Sequence, residues 1–167
     1  MADVLAFALR FLHILAGIAW IGAVAFSLGV VRRAMGRVDL DARRRTMRQL
    51  IPVAIRYVPM AAVSTIVLGV LLYLHMGRFD AFLLTGTPWG RLILAALVFS
   101  LAAFALGMVL VVETGRRILT HLDEPACEHG PEMGVLQKRF NLGQVLALAL
   151  GLVVVALMIE AAHGYLS

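Results

Sequence analysis

Residues 11–31 read FLHILAGIAWIGAVAFSLGVV and run directly into Arg32-Arg33. About 20 mostly apolar residues are what an α-helix needs to cross the hydrocarbon of a bilayer. This run has that length, and its one titratable side chain is His13. Lipid offers no partner to a free N–H or C=O, so a run without strand alternation must satisfy its backbone internally, as a helix. A short interfacial stretch before Arg10 leads into it, and the arginine pair stops it.

Three further runs repeat the pattern. They extend from about Tyr57 to Met76, from about Leu92 to Val112 and from about Leu142 to His163. Gly69, Gly107, Gly151 and Pro59 lie inside these runs, where a membrane helix tolerates them better than a soluble one does. The expected fold is all-α: an integral membrane four-helix bundle running up-down-up-down, with residues 1–167 as a single transmembrane domain. Composition agrees. The chain is 62% apolar and 15% charged, with a mean hydropathy of +0.93. A soluble domain is nearer half apolar, and this chain in water would expose large apolar patches. The lipid bilayer is therefore the first expected partner.

A net charge of +5 could suggest nucleic acid, but the basic residues are not spread as a binding face. Arg32, Arg33, Arg37, Arg43, Arg44, Arg45, Arg48, Arg56, Arg116, Arg117, Lys138 and Arg139 flank one end of the runs, and only Arg10, Arg78 and Arg91 flank the other. By the positive-inside rule the first group faces the cytoplasm, which gives an N-out/C-out, multi-pass protein of the bacterial inner (plasma) membrane. Nucleic acid is not an expected partner. Ala23-Val24-Ala25 imitates a signal-cleavage site, but no positive segment precedes it and the apolar run is too long, so retention is expected. The single cysteine, Cys127, excludes an internal disulfide and a CxxCH haem attachment.

Polar groups at membrane depth are costly and are functional candidates by default. His13, near the start of the first helix, and His75 and His163, at the ends of the second and fourth, all fall in the outer half or at its edge. At 100° per residue Gly17 lies about 40° from His13, and Trp20 about 20° from it two turns deeper. One stripe thus offers an imidazole, a gap and a flat aromatic, which suits a planar macrocycle with a histidine as axial ligand. Glu160 and His163 share a face, so the glutamate could orient the imidazole or bind a metal itself. Arg10, Arg78 and Arg91 lie at the same level and could pair propionates in fork geometry. Each feature also has an ordinary reading: interfacial histidines, a packed tryptophan, arginines whose stems lie along apolar surface. Met76 and Met158 could be soft Cu(I) ligands or simple filler. His121, Asp123, Glu124, Cys127, His129 and Glu132 have the residue types of a metal site without its spacing, and read as a solvated loop. No hydrolytic or nucleotide-binding motif is present.

The stretch from Leu12-His13-Ile14-Leu15 through Gly17 to Trp20-Ile21-Gly22 resembles the first helix of a loose membrane superfamily. It includes the copper-resistance CopD-like domain, the membrane domain of bacterial urate oxidases and the HemJ-type protoporphyrinogen oxidases. Arg56-Tyr57 to Gly69 and Thr87-Pro88-Trp89-Gly90 resemble its later helices more weakly. The resemblance implies a bundle that binds haem b, with His13 at a haem-ligand position. HemJ-type proteins carry a lysine early in the third helix, where this chain reads Arg91-Leu92-Ile93-Leu94-Ala95, so their reaction is not expected here. The cytochrome c part that the urate oxidases carry is not expected here.

The expectation is a b-type haem-binding protein in electron transfer, with a membrane or periplasmic redox partner. His13 would be one ligand, and His75 or His163 the other. Copper handling through His13, His75, His163, Met76 and Glu160 is the alternative, and a cofactor-free assembly or structural subunit the second. A homo-oligomer is compatible with all three.

Overall fold

A computed structural model describes residues 3–77, 80, 82–123 and 130–166. Among them are five helices: α1 (Val4–Met35), α2 (Leu40–Met76), the short α3 (Phe82–Gly86), α4 (Pro88–Asp123) and α5 (Gly130–Leu166). Four of these, all except α3, are long and apolar enough to span a membrane. The chain is an all-α, multi-pass membrane protein.

The long helices form two hairpins. α1 packs along α2 and α4 along α5, and the hairpins dock through α1 on α5 and α2 on α4. Where they meet, Trp20 and Val24 of α1 are buried with Ala62 of α2 and Ala103 of α4. Small residues let the backbones approach, which is how membrane helices gain packing when lipid removes the hydrophobic drive between them. A Cβ on Gly143 would lie 2.6 Å from the Cβ of Leu110, so the α4–α5 crossing requires glycine. Outside the bundle Phe7, Ile18, Leu101, Leu152 and Ile159 are exposed, as lipid-facing side chains should be.

The helices outrun the apolar stretches at the arginine-rich end. Hydropathy predicts a second span starting near Tyr57 and a third ending near Val112, whereas α2 begins at Leu40 and α4 continues to Asp123. Asp39 caps α2, its carboxylate accepting the Ala42 N–H at 2.8 Å. That bond holds the Asp39 carboxyl below the usual carboxylate range. The extensions persist because they bury a second core of Ile51, Ile118 and Leu136, with Gly115 close against Ile55, Phe140 and Ile51. Arg48 pairs with Asp123 at 3.1 Å across this end.

Two turns depart from α-geometry. In α1, Ser27–Val31 is π-helical and the Arg32 N–H reaches Ser27 O. In α4, Gly107–Val112 is π-helical and the Glu113 N–H reaches Met108 O. Each holds an extra residue in the turn, a feature frequent at functional sites.

Candidate functional site

His13 is half-buried between α1 and α2. Its Nδ1 lies 2.8 Å from the backbone carbonyl of Thr65. A carbonyl only accepts, so Nδ1 carries a proton and donates, which in the neutral ring makes Nε2 the lone-pair nitrogen. The ring fits because α2 has no side chain at Gly69, where a Cβ would come within 2.8 Å of His13 Cε1. Thr65 is itself buried, and its hydroxyl donates to Ala61 O at 2.8 Å. Among the described residues nothing bonds to Nε2.

The rest of the stripe faces α2 and the interior. A Cβ on Gly17 would make only an ordinary 3.7 Å contact with Thr65 Cγ2, and Trp20 is 5% exposed inside the core. In this packing α2 and the neighbouring core cover the stripe that would receive a flat ring.

The other two candidate histidines and Arg10 are held by contacts of their own. His75 Nε2 lies 2.5 Å from Asp3 Oδ2. Asp3 also caps α1 through the Ala6 N–H. The His75 contact, more than the cap, holds the Asp3 carboxyl below its ordinary value. Exposed His163 hydrogen-bonds its own helix through Nδ1 and Ile159 O, and Glu160 on the same face is exposed. Arg10 directs Nη2 at Met76 Sδ, 3.6 Å away. Arg91 is exposed in the first turn of α4. Trp89 stacks on Tyr73 at the same rim, which suits an interfacial anchor. Arg78, Glu124, Cys127 and His129 lie outside the described residues, while His121 faces Glu132 at 3.7 Å. Among the described residues no group of three or more His, Cys, Asp or Glu is gathered as for a metal ion.

A second concave site lies in the arginine-rich half. A cavity of about 290 Å3 separates the two π-turns, with Trp20, Val24, Ala62 and Ala103 at its deep end. Ser27, Gln137, Asn141 and Gln144 form a polar wall, and Arg32 and Arg43 stand at the mouth. Buried Gln144 donates from Nε2 to Ser27 Oγ at 2.8 Å, tying α5 to α1. Of the lining, Trp20 is a candidate from the sequence, whereas Ser27, Gln137, Asn141 and Gln144 are not. The available signal was Ser27 and Gln144 inside apolar runs, where an uncharged polar side chain also needs a partner.

Comparison of the chain with family models, curated proteins and solved structures finds no match.

Proposed function

We propose that this membrane protein binds haem b through His13 and passes electrons within a membrane redox system. The single observation that carries the reading is the state of His13. Histidine ligands commonly donate the second ring N–H to a carbonyl, which fixes the tautomer and aims the free nitrogen. Thr65 does this for His13, at a depth where an unused imidazole is costly. The resemblance of Leu12 to Gly22 to CopD-like, urate oxidase and HemJ-type first helices supports the same residue.

The fit is one-sided. His13 would hold the haem iron, but the stripe surface through Gly17 and Trp20 is covered, and His75 and His163 are held elsewhere. His75, on the helix packed against α1, is the candidate second ligand and would have to leave Asp3; Arg10 and Arg91 are the rim cations available to propionates. Bound haem supplies one-electron chemistry. The chain's part is to fix the His13 proton on Nδ1, against the Thr65 carbonyl, at that depth. Copper is further from the geometry, because an ion held by protein alone needs several gathered donors, whereas haem needs one or two.

The test is an absorption spectrum, oxidised and reduced, of protein purified from cells supplied with haem. A Soret band that His13→Ala abolishes, with helicity unchanged, supports the proposal. No Soret band, or one that survives His13→Ala, overturns it and leaves His13 a packing residue.

A further inference from the structure

The cavity in the arginine-rich half is independent of His13. Its walls are set by irregularities at one level of the bundle: the π-turns of α1 and α4, and Pro59 of α2. Pro59 has no N–H to return to the Ile55 carbonyl. Gly143 keeps α5 against α4 at Leu110, so the space lies among the four long helices, all of which line it. The bundle is held open here.

The lining is graded along the bundle. Trp20, Val24, Ala62 and Ala103 make an apolar floor, Ser27 and Gln144 a polar girdle, and Arg32 and Arg43 a cationic mouth. Among the described residues neither arginine has a carboxylate partner. Phe26, Val53 and Tyr57 line the cavity and are also among the exposed side chains that face lipid, so it communicates sideways with the bilayer. The volume of about 290 Å3 is at the lower edge of small-molecule sites; it admits one chain, not a helix.

We propose that this cavity binds an amphipathic anion, with its acidic head paired by Arg32 and Arg43 and its apolar chain passing the Ser27–Gln144 pair to lie against Trp20 and Ala103. Guanidinium groups bind carboxylate and phosphate through paired N–H donors, and two arginines that pair with no described carboxylate, at the mouth of an apolar slot, select a head of that charge. The anion is either an acidic lipid of the surrounding leaflet or a free long-chain acid.

The chain has two tryptophans, so Trp89→Phe leaves Trp20 as the sole reporter at the cavity floor. The full-length Trp89→Phe protein in detergent is titrated with 9,10-dibromostearic acid, whose bromines quench indole fluorescence on contact. Saturable quenching is expected. The methyl ester, or Arg32→Gln with Arg43→Gln, should weaken it about tenfold or more, as loss of a charge-assisted pair does. Ala103→Phe should abolish it by filling the floor; the arginine pair, at the mouth, provides the test if that variant does not fold. Linear quenching, equal for acid and ester and unchanged in the arginine variant, overturns the proposal. Nanodiscs separate the two sources. Stronger quenching by dibrominated phosphatidylglycerol than by dibrominated phosphatidylcholine assigns the site to acidic lipid. Equal quenching that free stearate relieves assigns it to a free acid, and equal quenching that stearate leaves unchanged overturns the proposal.

Discussion

His13 ties α1 to α2 through its bond to the Thr65 carbonyl. If its only role were to join α1 to α2, the bond to Thr65 would contribute about 0.6 kcal/mol, the mean for such contacts between membrane helices. His13→Ala should therefore unfold in SDS at nearly the wild-type midpoint, to within about 1–2 kcal/mol, while losing any bound haem. Gly69→Ala is the complementary change, because its Cβ would meet Cε1 of the ring at 2.8 Å. The imidazole must then swing off Thr65, and the Nδ1 proton loses its acceptor. The expected result is a folded protein with a shifted or weakened Soret band; an unchanged band would detach the Thr65 bond from ligand orientation. At the rim, Asp3 yields a prediction in pH. Its folded carboxyl is held below the ordinary value, first by His75 and then by the Ala6 N–H, so ionised Asp3 favours the folded state. That stabilisation is present above the unfolded value of about 3.9 and fades as pH falls below it toward the depressed folded value. Thermal midpoints of the wild type and Asp3→Asn should differ at neutral pH and converge in that acid window.

Among the elements, the spans were legible because hydropathy needs only the order of residues. Phe11 to Val31 could be read as a helix with no knowledge of its neighbours. What each helix faces was not legible. Period alone placed His13, Gly17 and Trp20 on one stripe, but the covering of that stripe depends on Thr65, Ala62 and Gly69 of α2. The two π-turns were equally hidden, since Ser27–Val31 and Gly107–Val112 carry no breaker beyond glycine, and packing decides where an extra residue is held. The extensions at the arginine-rich end were missed because Leu40–Arg56 is charged, although Ile51, Ile118 and Leu136 recur in it and its partners. Two glycines of α5 separate packing from propensity. Gly143→Ala would drive a Cβ to 2.6 Å from Leu110 Cβ and should cost about 1–3 kcal/mol as overpacking. Gly134→Ala meets nothing within 4 Å and should stabilise the helix by about 0.5–1 kcal/mol. Opposite signs in SDS or thermal unfolding are the check; equal losses would mean that α5 does not pack on α4 as described.

At the scale of the whole molecule, the polarity of the bundle ties both proposals to the two faces of the membrane. His13, His75 and Asp3 belong to the end where α1 begins, and Arg32 and Arg43 to the end where α1 stops. Twelve of the fifteen lysines and arginines flank this second end, and K/R bias in short loops is the main determinant of orientation during insertion. Haem at His13 would then serve a partner outside the cytoplasm, while an anion bound at Arg32 and Arg43 would come from the cytoplasmic leaflet. The lone Cys127 lies between α4 and α5 and makes this testable without disturbing either site. A membrane-impermeant maleimide should label wild-type protein in intact cells only after permeabilisation. Cys127→Ser carrying Glu160→Cys, at an exposed position near the end of α5, should be labelled without it. The reverse pattern would invert the protein in the membrane and exchange the compartments that its two ends serve.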